Sequence, residues 1–127
     1  LEDGRQILAL DPSLTLQVFV KDSASMDALV KSGIPLGNVV AFVGHTWPAD
    51  PSVFALLHAH GIKAIVGTSR NVDRTEHNRG ADAGQTYRDY IRGGADIIEA
   101  DSAVVAGEAL RPLWIASPNA AKYVGRR

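Results

Sequence analysis

Residues 38–68 read NVVAFVGHTWPADPSVFALLHAHGIKAIVGT, and this stretch decides the fold. Val39-Val40-Ala41-Phe42-Val43 is a continuous apolar run, short and rich in β-branched residues. A strand buried on both faces has this character, as strands of parallel sheets do; a half-buried strand would alternate apolar with polar. Gly44 ends the run, and Asp50-Pro51 then supplies an N-cap followed by proline at the first helical position. Val53, Phe54 and Leu57 recur at helical spacing, and Gly61 stops the helix. A second apolar run, Ile62 to Val66, follows at once. The pattern is strand, helix, strand.

The same unit repeats outward in both directions. Upstream, Leu16 to Val20 reads as a strand, then Ser23 or Ser25 caps a helix carrying Met26, Leu29 and Val30 and closing at Gly33. Downstream, Thr86 caps a helix with Tyr87, Tyr90 and Ile91 on one face, Gly93-Gly94 ends it, and Ala95 to Ile98 forms the fourth strand. A further helix follows Ser102 through Val104, Val105 and Leu110 and stops before Pro112; Ser117-Pro118 opens a last short one. Ser69 to Gln85 is the one long irregular stretch, and long loops in compact domains are usually functional or mobile. Strand–helix alternation with short connections predicts a parallel α/β protein of four β/α units, with neighbouring strands in chain order.

Composition narrows the function classes. The 127 residues suffice for one domain, 46% are hydrophobic, and the formal net charge of −1 lacks the basic excess of a general nucleic-acid or anionic-membrane binder. With no cysteine, disulfides and thiolate metal sites are excluded, which leaves the compartment open. No apolar run reaches the ~18 residues of a spanning helix, and the start LEDGRQILAL lacks the apolar core of a signal peptide. It also lacks an initiator Met, and a fragment of a longer protein is expected.

In a parallel sheet all C-terminal strand ends share one rim, where ligands bind in barrels and open sheets alike. That rim collects Lys21 and Asp22, then Gly44-His45-Thr46-Trp47, then Gly67-Thr68-Ser69-Arg70, then Glu99 and Asp101. The opposite ends, near Thr15, Gly37, Gly61 and Gly94, are chemically plain. Glu99 and Asp101 share parity, so both face one side of the strand and need a cation, a proton or a donor; Lys21, Arg70 or a divalent metal would serve, and so would a structural ion pair. His45 fits a proton donor, a phosphate contact or loop packing. His58 and His60 are two apart on a helix and do not share a face. Phosphate-loop, nucleophile-elbow and HExxH patterns do not occur.

Two stretches carry a family likeness: LLHAHGIKAIVGTSRNVDR at 56–74 and YRDYIRGGADIIEAD at 87–101. They resemble the last two β/α units of the glycerophosphodiester phosphodiesterase family, where a helix ends HaxGikv, a strand ends WT and a final strand reads GaDxiiTDxP. FVKDSASMDALVKSGIPLGNVVAFVG at 19–44 fits the two preceding units more loosely. The likeness spans Leu16 to Leu110 and is specific mainly over Leu56 to Asp101.

The resemblance implies the C-terminal half, strands five to eight, of a TIM (β/α)₈ barrel, with residues 1–127 as a single domain of it. It implies a metal-dependent hydrolase of lipid metabolism that cleaves deacylated phospholipids to glycerol phosphate and an alcohol. In that family Ca²⁺ or Mg²⁺ sits on carboxylates, and two histidines act as acid and base. Those histidines and most metal ligands lie in the first half, in HRG, ExD and ExK motifs, so no catalytic residue and no metal ligand is assigned in this chain and it is expected to be inactive alone.

Thr68 and Asp101 carry over. Gly67 stands where the family has Trp, Ala100 where it has Thr, and Ser102-Ala103 where it has Arg-Pro. Arg70 or Trp47 is expected to fill the space at Gly67. Lys21, His45, Trp47, Thr68, Arg70, Glu99 and Asp101 form the expected rim for a small phosphodiester. The expected partner is the missing N-terminal half or a second copy in a homodimer. The alternatives are a complete flavodoxin-like binding or signalling module, which would be near this size, and a self-pairing half-barrel without activity.

Overall fold

The computed structural model describes residues 1–69, 72–77 and 84–113. Within them lie, in chain order, α1 (Glu2–Leu10), β1 (Leu16–Phe19), α2 (Ser23–Lys31), β2 (Val39–Phe42), α3 (Pro51–Ala59), β3 (Lys63–Gly67), α4 (Val72–His77), α5 (Gln85–Arg92), β4 (Ile97–Glu99) and α6 (Ala103–Leu110). The four strands form one sheet in the order β1-β2-β3-β4, and every neighbouring pair is parallel. A flavodoxin-like sheet needs a reversal of strand order, 2-1-3-4-5. Sequential order without a crossover excludes that alternative and is the order of a barrel segment.

The register separates the two faces of the sheet. Leu16 pairs with Val39, Val18 with Ala41, and Ala41 with Ala64, while Val66 pairs with Ile98. These residues point to the helix side, where Met26, Leu29, Phe54, Leu57, Tyr87 and Tyr90 complete one continuous core. The alternate residues form a second row across all four strands: Phe19 pairs with Phe42, Phe42 with Ile65, and Ile65 with Ile97. No helix residue of the core cluster joins that row, and its two ends stay open, with Phe19 55% and Ile97 40% exposed. In a closed barrel this face would be the filled interior.

Local chemistry explains the element ends. Asp22 rather than Ser23 or Ser25 caps α2: its carboxylate accepts from the Ser25 amide, and the Ser25 hydroxyl answers the Asp22 backbone N–H in a capping box. Asp50 caps α3 with Pro51 behind it, as expected. Gly84, not Thr86, is the N-cap of α5; it adopts a φ of 91° and lies so close to Ala109 that a Cβ there would overlap that side chain. Two helices were not foreseen. The N-terminal segment forms α1, which buries Leu8, and the stretch expected to be irregular between Ser69 and Gln85 contains α4. The short helix expected from Ser117 lies outside the described residues.

Candidate functional site

The C-terminal strand ends stand on one edge of the sheet because every strand runs the same way. Lys21 follows β1, His45 follows β2, Thr68 follows β3, and Glu99 closes β4 with Asp101 two residues on. Arg70, also expected there, lies outside the described residues.

Lys21 is well exposed, and its Nζ lies 4.0 Å from the Asp22 carboxylate. It borders a cleft of ≈ 260 Å³ shared with Gly44, Thr46, Pro48 and Asp50. The loop between β2 and α3 is held from α5: the Tyr90 hydroxyl donates to the Thr46 carbonyl at 2.9 Å, and the Trp47 ring meets the Tyr90 ring edge-on at 4.7 Å between centroids. Burial raises the Tyr90 phenol to about 12, so it stays a donor at all ordinary pH values.

The space at Gly67 is filled, and among the described residues it is not Trp47 that fills it. Trp47 is engaged with Tyr90. The His45 ring lies directly over Gly67, so that a Cβ at residue 67 would overlap its Cε1 and Nδ1 and meet Phe42 at 3.0 Å. His45 also packs edge-on against Phe42, with centroids 5.2 Å apart. Its Nδ1 is buried with no hydrogen-bond partner among the described residues. A missing side chain on one strand is thus replaced by an imidazole from the next.

The polar centre of the rim is a residue that sequence reasoning passed over. Asp73, the second residue of α4, is 3% exposed. One carboxylate oxygen accepts from the Thr68 hydroxyl at 2.7 Å and from the Tyr87 hydroxyl at 2.7 Å. The other accepts from the Asp101 amide at 2.6 Å. Burial pushes the carboxyl up, but those hydrogen bonds, with one from the Ser102 amide, outweigh it and hold Asp73 below the ordinary carboxylate value. Thr68 is 1% exposed, and its amide and hydroxyl also reach the Glu99 carbonyl, at 2.9 and 3.1 Å. Its hydroxyl is therefore turned into the protein.

Glu99 and Asp101 are both exposed, and β4 ends at Glu99, so strand alternation no longer governs Asp101. No cluster of three or more His, Asp or Glu side chains suited to a metal ion occurs among the described residues. At the opposite end of the sheet His58, given no role above, bonds Asp96 at 2.9 Å, and the same Asp96 oxygen accepts from the Ala64 amide at 2.8 Å. That is a packing contact between α3 and the strands.

No family model and no curated protein matches the chain. Among solved structures, a glycerophosphoryl diester phosphodiesterase from Parabacteroides distasonis superposes with a TM-score of 0.79 at 28% identity, over 91% of this chain. The match takes in 40% of that protein, so the chain spans well under half of its length. No helix among the described residues is long and apolar enough to cross a membrane. Residue pattern and fold agree: the chain resembles the glycerophosphodiester phosphodiesterase family and has the architecture of a partial TIM barrel.

Proposed function

We propose that this chain supplies strands five to eight of a metal-dependent glycerophosphodiester phosphodiesterase barrel, providing part of the substrate rim but not the acid–base pair. The observation that carries the reading is the match over nine-tenths of the chain to an enzyme of that name, joined to a polar rim at the C-terminal strand ends. On this reading Lys21 and Arg70 meet the anionic phosphate, Trp47 covers the glycerol or alcohol end, and Glu99 and Asp101 accept from its hydroxyls. Thr68 shapes the rim from beneath. His45 serves as the aromatic floor over Gly67.

Among the described residues no group of three or more His, Asp or Glu side chains is placed to hold the Ca²⁺ or Mg²⁺ of the family, so its ligands are expected mostly from the first half of the barrel. No step of the reaction is assigned to it here. The open row of Phe19, Phe42, Ile65 and Ile97 calls for cover, either from the units that complete a barrel or from a second copy.

Grafting this chain in place of the matching segment of the Parabacteroides distasonis enzyme tests the proposal. A folded graft that hydrolyses glycerophosphodiesters only with a divalent metal, beside an inert isolated chain, supports it. A folded graft with no activity, or an isolated chain with enzyme-like rates, overturns it.

A further inference from the structure

Four donors from three separate parts of the chain converge on the Asp73 carboxylate. Thr68 ends the third strand unit, Tyr87 sits in α5, and Asp101 and Ser102 form the turn into α6. Ser102 is the N-cap of α6 but makes no side-chain cap bond, and its carbonyl receives the Ala106 amide at 3.0 Å to begin the helix. Asp73 therefore holds the start of α6 from a distance and places a negative charge at its positive end. The Asp73 amide in turn bonds the Thr68 carbonyl at 3.2 Å, closing the turn after β3 on itself.

We infer that Asp73 is the positioning residue of the rim: its carboxylate fastens the turn after β3 to the turn after β4, and so sets where Asp101 stands while drawing the Thr68 hydroxyl inward. The assignment of Asp101 to a ligand rim rests on the function proposed above; the tether itself does not. Every contact in it is internal, so Asp73 is not a catalytic residue. Its effect reaches a ligand only through the backbone at Asp101 and Ser102. A carboxylate suits this role better than an amide, since both oxygens accept at once and neither has a hydrogen to turn against four donors.

Nuclear magnetic resonance on the isotope-labelled chain separates the tether from the rim. In the unaltered protein the Asp101 amide shows a scalar coupling across the hydrogen bond to the Asp73 carboxyl carbon and exchanges slowly with water. In Asp73→Asn the Asp101 and Ser102 amides exchange at least ~10-fold faster, the loss expected for one charged hydrogen bond, while the Val66 amide keeps its protection. Tyr87→Phe, which removes a donor and leaves the carboxylate, keeps Asp101 protected.

A missing coupling in the unaltered chain overturns the inference even if Asp73→Asn does not fold. So does a uniform loss of protection that includes Val66, because that marks general destabilisation. Glycerol 3-phosphate provides the separate arm. Shifts at Asp101 and Ser102 that vanish in folded Asp73→Asn support positioning of a ligand rim, and shifts that persist unchanged refute it. Silence at the rim of the unaltered chain refutes the phosphate rim and leaves the tether to be judged by coupling and exchange.

Discussion

Gly67 and His45 offer a quantitative test of how the rim is packed. Gly67→Ala adds one methyl group where the His45 ring already sits, with Phe42 3.0 Å away on another side. Gly67 is a strand residue without a left-handed φ, so the substitution carries no backbone strain and its cost is steric. Overpacking of this kind costs about 1–3 kcal/mol. His45→Ala removes the obstructing ring, and alanine then suits the strand better than glycine by roughly 0.5–1 kcal/mol. The double variant should therefore recover most of the loss, with a coupling energy of about 1–3 kcal/mol, the range for side chains in direct contact. Urea unfolding followed by circular dichroism at one fixed protein concentration measures it. At ~1–3 kcal/mol per molar urea, the Gly67→Ala midpoint falls by roughly 0.3–3 M. Strictly additive effects would show that His45 does not occupy the space over Gly67.

Other expectations follow from the same geometry. Phe19→Ser, on the open face, should leave the monomer fold intact and weaken association roughly tenfold, since about half of one phenylalanine's burial, ~1–1.5 kcal/mol, is lost; sedimentation velocity across a dilution series reads this. Acid should weaken the fold through Asp73. Its folded carboxyl lies below the usual value, so its stabilisation is complete above pH ~4 and fades as the pH falls through the folded pKa. In Asp73→Asn the urea midpoint should therefore change less between roughly pH 5 and pH 2 than in the parent. The isolated chain should hydrolyse glycerophosphodiesters slower than the family's enzymes by more than the ~10²- to 10⁴-fold contributed by acid–base catalysis. Release of glycerol phosphate with Ca²⁺ or Mg²⁺ present checks this.

Much of the fold could be read from residues in line. The strands fall within two residues of the apolar runs because continuous β-branched segments between glycines have few other uses, and Asp50-Pro51 marks the start of α3 for a purely local reason. The helix α4 was hidden because Val72–His77 is charged and lies within a polar stretch, so no apolar stripe announced it. The cap of α2 is Asp22, one residue before Ser23 and three before Ser25; in sequence it reads as part of the rim, but its side chain bonds Ser25.

The polar centre could not be read at all. Residues 68, 73, 87 and 101 meet only when two strands and two helices have packed. Asp73 lies in the stretch that reads as irregular, among charged residues that give no sign of burial. The signal that would have found it is an acid five residues past a strand-ending threonine, with a buried tyrosine in the next helix. Likewise, the departure at Gly67 was visible in the sequence, but its filling by His45 depends on the stagger of β2 against β3.

The central claim is that four parallel β/α units leave one sheet face and two strand edges open, as half of a barrel does. Light scattering coupled to size exclusion, on the purified chain at micromolar concentration, addresses this most directly. Burying roughly 500 Å² of apolar surface would favour association by about 12 kcal/mol before entropic costs, so a dimer or larger assembly is predicted, shifted toward monomer by Phe19→Ser. A compact, monodisperse and stable monomer, indifferent to that substitution, would contradict the account.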